Sequence, residues 1–486
     1  MNCKMRDSKA MKACFTVFSE LKTQAFIFIY RIIKRKKIMS KENKYEIDMC
    51  NGSIMDKLIS FALPLMLSGM LQLMFNAVDI VVVGRFSGSQ SLAAVGATTA
   101  LIYLFTNLFI GISLGANVLA ARYYAAGKHE EMSETVHTAM MFALISGIIM
   151  IFVGLFFSRL ALEIMGTPSD VIDQATLYMR IYFLGMPFFM LYNYGAAILR
   201  AVGDTKRPLI FLIISGVVNA CLNMLLVIVF HLDVAGVAIA TVTSQFISCV
   251  LVIGCLYRTK SSYQLRFSRL KIQKKYLKPI CQVGIPAGIQ STVINFSNAL
   301  LQSSVNSFGS TTMAGYTAAN NIFGFLYVSV NAITQACMSF TSQNYGLRKL
   351  KRMDKILMDC LILTVVVSLV LGGGVYLFGA EILRLYTEEA EVIRCGIEIF
   401  AYTTVTYFLC GIMDLFPGAL RGMDRSTVPM ILSVIGTVGT RIVWVFWLFP
   451  AHRSLAFLFI SYPASWLITI AMQVICFYFV RRKVHG

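Results

Sequence analysis

The sequence predicts an all-α polytopic membrane protein, with twelve transmembrane helices in two six-helix bundles that form parallel pseudo-twofold repeats. Three observations predict it. Of 486 residues, 57% are hydrophobic and only 14% charged, far from the roughly 25% charged composition of soluble domains, which excludes a soluble enzyme. The apolar residues come in runs of about 20 or more, the length a helix needs to cross a bilayer. The 43 Lys+Arg against 24 Asp+Glu, net +19, sit between those runs and at the chain ends. That is a topogenic pattern, not a clustered patch that would bind nucleic acid.

Residues 1–57 hold 13 Lys+Arg and no span. The stretch Ala25 to Tyr30 is too short to cross, and its basic cluster Arg31 to Lys37 follows it, the reverse of a secretory signal peptide. This segment reads as a basic cytoplasmic N-terminal tail or interfacial helix with no part in mechanism, and Met39 is an alternative start. Spans are expected over 58–83, 91–121, 135–157, 172–202, 208–231 and 234–257, the N-terminal bundle of residues 58–257. A basic cytoplasmic linker covers 258–278. The C-terminal bundle, residues 279–480, holds spans over 279–307, 313–344, 355–378, 392–420, 429–449 and 454–480, and residues 481–486 are a cytoplasmic tail.

With the N-terminus inside, cytoplasmic segments carry 36 of the Lys+Arg and the opposite side five, while Arg180 and Arg441 fall within spans. Excess cations hold loops in the cytoplasm. Both termini are therefore expected on the cytoplasmic side of the plasma membrane, with the lipid bilayer as the first partner and the chain monomeric.

The two halves repeat. An offset of 222 pairs Leu63-Pro64 with Ile285-Pro286, Asn76 with Asn298 and Phe86 with Phe308. At 221, Leu92-Ala93-Ala94 faces Met313-Ala314-Gly315, Leu199-Arg200 faces Leu420-Arg421, and Pro208 faces Pro429. Six spans is an even number, so both halves enter the membrane in the same direction, related by an axis along its normal.

Only two carboxylates fall clearly within spans, Asp79 and Asp414. An acid in hydrocarbon costs several kcal/mol, about 2.5–3.5 on insertion scales, so it faces a cavity or a partner. Ser68, Gln72, Asn76 and Asp79 share one face of span one at i+4 and i+3 spacings. Such a stripe would line a water-filled path with Asp79 exchanging a proton or Na⁺; the alternative is a static acid held between helices. Ser291, Asn295, Asn298 and Gln302 repeat the pattern in span seven without a charge and serve either a solute or helix association. Asn219 and Asn223 stand one turn apart in span five, and Thr241 and Thr243 lie in span six. Asp414 is either a further path residue or a solvated acid near Arg421. Arg200 and Arg421, at matching span ends, fit neutralisation of the helix dipole and interfacial anchoring. Pro64, Pro187 and Pro286 are hinge candidates, since each removes a backbone hydrogen bond inside a span. Most of the 12 cysteines lie in apolar runs as small hydrophobes, there is no Cys-x-x-Cys pair, and neither a metal nor an organic cofactor is expected.

These residues resemble the multidrug and toxic compound extrusion (MATE) family over roughly 55–480. The resemblance is carried by Ala62-Leu63-Pro64, Val78-Asp79 with Gly84, Leu92-Ala93-Ala94-Val95-Gly96, Leu199-Arg200-Ala201-Val202-Gly203-Asp204-Thr205, Gly284-Ile285-Pro286, Asn306-Ser307-Phe308-Gly309 and Leu420-Arg421-Gly422. It implies a secondary active antiporter that exports organic cations or other amphipathic compounds in exchange for H⁺ or Na⁺, alternately open to each side. Asp79 stands where the family carries its cation-coupling acid, and Asn219, Asn223 and Thr241 would complete that site. Many members have Asn-x-x-x-Asp in span five; here Asn223 takes the place of the acid and removes a charge.

Two other functions compete. A lipid-linked saccharide flippase shares the two-bundle plan but needs a large cationic cavity, and the spans offer few cations besides Arg180 and Arg441. An intramembrane enzyme needs a positioned acid, base or nucleophile, and no mid-membrane histidine or paired-aspartate motif is present.

Overall fold

A computed structural model describes residues 45–485, almost entirely as helix. The basic cluster of Arg31 to Lys37 and the alternative start at Met39 lie outside the described residues. Twelve spans run in the expected order: α1 (Met55–Phe86), α2 (Gly88–Ala125), α3 (His129–Ile164), α4 in two pieces (Ile172–Leu184 and Met186–Ala201), α5 (Lys206–Asn223, continued by a π-helical segment Met224–Val229) and α6 (Asp233–Arg258). The second bundle has α7 (Lys274–Asn306), α8 (Ser310–Gly346), α9 (Leu350–Leu377), α10 in two pieces (Ala390–Thr403 and Tyr407–Gly422), α11 (Thr427–Ala451) and α12 (Leu455–His485). Among the described residues nine helices are long and apolar enough to cross a membrane, and eleven when each bent pair counts as one. The twelfth, α7, is 33 residues long. Its serines and amides make it the least apolar of the set.

Two expected spans are not single helices. The span expected over 172–202 breaks at Gly185, bending by 48°. Pro187 there is the second residue of a new helix, a position that needs no N–H, and it is seated so closely on α3 that a Cβ on Gly147 would lie 2.4 Å from Pro187 Cα. The span expected over 392–420 bends by 50° between Thr403 and Tyr407, with no proline at the break. There Thr403, Thr404 and Thr406 turn their hydroxyls onto the carbonyls of Ile399, Phe400 and Tyr402 at 2.7, 2.7 and 2.9 Å, a back-bonding that bends helices. Of the hinge candidates, only Pro187 marks a break; α1 runs through Pro64 and α7 through Pro286 without interruption.

The boundary expected at residue 57 moves. Residues 47–54 are packed on the helices, with Met49 fully buried and its carbonyl accepting from Asn344 Nδ2 at 3.1 Å. Lys349 Nζ donates to Cys50 O at 3.0 Å and Arg352 Nη1 to Gly52 O at 3.0 Å. This short segment therefore straps the start of the first bundle to α8 and α9 of the second.

The bundles meet along α2 with α7 and α1 with α8. The α2–α7 crossing is made by glycines: a Cβ on Gly111 would fall 2.3 Å from Gly288 N, and one on Gly284 would fall 2.3 Å from Ile112 Cα. Two Gly-x-x-x-Gly pairs, Gly111/Gly115 and Gly284/Gly288, thus let backbones touch, the contact that replaces hydrophobic driving force between helices in lipid. Beyond it, toward the basic end of the molecule, Ser339 Oγ donates to Asn117 Oδ1 at 3.0 Å, Ser342 Oγ to Val118 O at 2.6 Å and Gln343 Nε2 to Ala201 O at 2.7 Å. Arg122 pairs with Asp424 and lies over the ring of Tyr345. Among the described residues, the side-chain hydrogen bonds that cross between bundles all lie at this end, while Leu92, Tyr103 and Leu104 of α2 and Met313 of α8, toward the other, are exposed. The bundles are closed at the basic end.

Candidate functional site

Asp79 is placed by the packing of α1 on α5. Phe75, one turn earlier, sits on the backbone of α5 so tightly that a Cβ on Gly216 would be 1.8 Å from its Cε2. Residues 75 and 79 share that face, so the carboxylate is delivered to α5. There Asn223 Nδ2 donates to Asp79 Oδ1 and also approaches Asn219 Oδ1 at 3.3 Å. Asn219 and Asn223 are buried, with 5% and 0% of their surface exposed, and the turn after Asn223 widens into the π segment. Such bulges re-aim side chains and recur at functional sites.

The oxygens of this cluster are under-used. Asn223 Oδ1 is buried without a hydrogen-bond partner, and so is Oγ1 of Thr241 on α6, which packs against α5. A buried polar atom left without a partner costs about 1–3 kcal/mol, and one such atom beside a carboxylate suits a bound cation. The structure therefore brings Asp79 and Asn219 together through Asn223, while Thr241 stands on the neighbouring helix without a hydrogen bond to any of them. Tyr178 and Tyr182 on α4 come within electrostatic range of Asp79. Sequence reasoning missed both tyrosines; their one signal was i+4 spacing on either side of Arg180.

The path candidates separate. Gln72 and Asn76 are exposed on α1 and Ser68 bonds back to Pro64 O at 2.8 Å, with Asp79 half-buried at the edge of that face. On α7, Ser291 and Asn295 are exposed and Gln302 is half-buried, whereas Asn298 is engaged, accepting from Arg441 Nη1 at 2.7 Å. Asp414 is half-buried on α10, in the electrostatic field of Arg421 but not in contact with it. Arg421 is not a free interfacial anchor: its Nη2 donates to Gln290 Oε1 of α7 at 2.6 Å, and Gln290 is 3% exposed. Asp414 and the Asp79 cluster are thus separate groups, in different bundles.

Comparison with known proteins places this geometry in a family. The family model MatE matches twice, over residues 64–225 and 286–447, at the 222-residue offset of the internal repeat. The chain is 28% identical over 434 residues to the probable multidrug resistance protein YoeA of Bacillus subtilis, covering 87% of this chain and 93% of that one. It is 21% identical over 378 residues to the multidrug export protein MepA of Staphylococcus aureus, covering 78% and 84%. Its fold superposes on a structure described as the outward-facing conformation of a multidrug resistance MATE family transporter, with a TM-score of 0.82, 20% identity, and coverage of 92% of this chain and 99% of the other. With two matched halves, the repeat and the twelve-span order in agreement, the chain belongs to the MATE family of membrane transporters.

Proposed function

We propose that this protein is a secondary active efflux antiporter that exports organic cations or other amphipathic drugs in exchange for H⁺ or Na⁺ by alternating access. It acts as a monomer in the plasma membrane with both termini in the cytoplasm. The observation that carries this reading is the Asp79 cluster: a carboxylate inside a helical bundle, held by Asn223, with Asn223 Oδ1 and Thr241 Oγ1 left without partners. The names of the relatives, multidrug resistance and multidrug export proteins, support drugs as the cargo.

The cluster suggests how an ion is held and released. With Nδ2 of Asn223 on Asp79, the carboxylate is satisfied without an ion. Turning the amide of Asn223 over brings Oδ1 to the same place, and Asp79, Asn219, Asn223 and Thr241 then offer an all-oxygen set of the kind Na⁺ takes. A proton instead sits on Asp79 alone. In either case Asp79 changes its hydrogen bonding to α5, and α5 is the helix that α1 leans on through Phe75. That linkage gives the ion a means of biasing the bundle between two packings, the requirement for coupling.

Inverted vesicles loaded by an external cationic dye, with H⁺ and Na⁺ gradients imposed separately, test the reading. Gradient-driven uptake is expected for the unmodified protein and none for Asp79→Asn, which keeps size and hydrogen bonding but removes the exchangeable charge. Undiminished flux through well-folded Asp79→Asn protein would overturn it.

A further inference from the structure

Arg441 is 2% exposed in the interior of the second bundle. Its partners are neutral: Nη1 donates to Asn298 Oδ1 at 2.7 Å and Ser297 Oγ at 3.4 Å on α7, Nε donates to Ser465 Oγ at 3.3 Å on α12, and the guanidinium lies 4.5 Å from the ring centroid of Tyr462. Among the described residues it enters no ion pair, and its Nη2 has no hydrogen-bond acceptor. By contrast Arg122 has Asp424 and Arg207 has Asp204. A buried guanidinium without a counter-charge is expensive, several kcal/mol even after relaxation. Simple helix association does not require it, since neutral serine and amide contacts join helices in lipid.

The backbone around Arg441 is also built for placement. It stands in the four-residue α-helical stretch Thr440–Val443, between the π-helical segments Val434–Gly439 and Trp444–Leu448. The 221-residue offset aligns Arg441 with Ala220, next to Asn219 of the cation cluster, and the 222 offset aligns its partner Asn298 with Asn76 on the face of Asp79. The same pair of helices in the two repeats therefore carries a half-buried acid held by an amide in one bundle and a buried base held by an amide in the other.

We infer that Arg441 and Asn298 form an anion subsite, and that the group it takes is a carboxylate of the transported amphiphile. The donors decide the class. Nη2 of Arg441 and Nδ2 of Asn298 are both without acceptors beside one delocalised positive charge, and two N–H groups match the two oxygens of a carboxylate. A phosphate dianion needs more charge than one arginine supplies. Tyr462, with its hydroxyl 3.4 Å from that of Tyr316, supplies the aromatic wall for the apolar part of such a molecule. Entry follows the α7 stripe, from exposed Ser291 and Asn295 to half-buried Asn298.

This subsite rests on the efflux reading, because it specifies the charge of what is exported. Rhodamine 19, a cationic ring system with a free carboxylate, and rhodamine 6G, its ethyl ester, differ in that group alone. Binding of each to the purified full-length protein in lipid nanodiscs is read by fluorescence anisotropy. The expected result is that Arg441→Gln weakens the acid at least tenfold and the ester less than twofold, with Arg441→Lys between. Equal loss for both dyes, an unchanged affinity for the acid, or no binding of the acid by the unmodified protein overturns the subsite. If Arg441→Gln does not fold, Asn298→Ala decides: selective weakening of the acid supports the proposal and indifference refutes it. Flux of the ester dye in vesicles reads the efflux function separately, so a subsite without transport and transport without a subsite are told apart.

Discussion

The glycine crossing of α2 and α7 makes a quantitative prediction about how the basic end is held shut. In Gly111→Ala the new Cβ would sit 2.3 Å from Gly288 N and 2.4 Å from Gly288 Cα. Both atoms belong to a helix backbone that has no rotamer to yield. Carbon contacts settle near 3.5 Å or beyond, so the helices must part by about 1 Å. A displacement of that size, carried one to two turns along, takes the bonds from Ser339 to Asn117 and from Ser342 to Val118, now 3.0 and 2.6 Å, past hydrogen-bond length. Polar contacts between membrane helices average about 0.6 kcal/mol each. With the lost backbone packing, the closed arrangement weakens by about 2 kcal/mol, or roughly 30-fold in population at 1.4 kcal/mol per tenfold.

Single-molecule energy transfer between dyes placed by unnatural amino acids at Lys128 and Lys351, exposed positions on opposite bundles, reads that population. Gly96→Ala is the control: it lies on the same helix, gains the same helix propensity, and its Cβ would meet nothing within 4 Å. A Gly111→Ala distance distribution identical to those of Gly96→Ala and the unmodified protein would refute the reasoning, since the crossing would then not set the closure.

Other outcomes follow from the same geometry. Asn223→Asp places a second carboxylate against Asp79 and is expected to change the Na⁺ or pH dependence of flux more than its substrate range; an active variant with both dependences unchanged would reduce Asn223 to helix packing. Asp414→Asn is expected to give a smaller transport defect than Asp79→Asn, because among the described residues Asp414 has no hydrogen-bonded partner to reorganise and Arg421 keeps Gln290; equal defects in the two would show otherwise. A chain starting at Met39 is expected to retain full flux, whereas deletion through Gly52 removes the partners of Asn344, Lys349 and Arg352 and is expected to lower thermal stability in detergent by several degrees.

The spans and the internal repeat were legible because each rests on a signal spread over many residues: apolar length and matches at one offset. The grouping of Asp79 with Asn219 and Asn223 came from the family resemblance; helical spacing alone showed only that Asn219 and Asn223 share one face of their span. The break in α4 had a local sign, the Gly185-Met186-Pro187 run, that a single apolar span masks. The break in α10 had almost none, because threonine hydroxyls fold onto either backbone or neighbours and only the three-dimensional setting decides. The π segments were invisible, since a widened turn leaves the composition unchanged. Arg441 was visible as a cation inside a span, but its isolation from any carboxylate depends on which helices surround it. Residues 47–54 read as tail because the burial of Met49 and Cys50 and the bonds to their carbonyls depend on Asn344 and Lys349, some 300 residues away.

The two bundles share a backbone plan and divide the chemistry, and that division bears on how one opening serves two charges. The acid of the first bundle and the base of the second stand on helix pairs related by the repeat, α1 with α5 and α7 with α11, so a motion that opens the bundles opens both sites to the same side. The pivot for such a motion has to lie where the bundles touch without interlocked side chains, because interdigitated rotamers resist rolling while bare backbones do not. Gly111, Gly115, Gly284 and Gly288 supply that surface between α2 and α7. The Arg122–Asp424 pair, the Ser339 and Ser342 bonds and the 47–54 strap lie beyond it toward the basic end. On the alternating-access reading proposed above, rolling about the glycines would break the polar latch without disturbing Asp79 or Arg441 within their own bundles. On the proposed antiport reading, an ion bound at Asp79 would act on this motion first through α1 and α5, where Phe75 is seated tightly on Gly216.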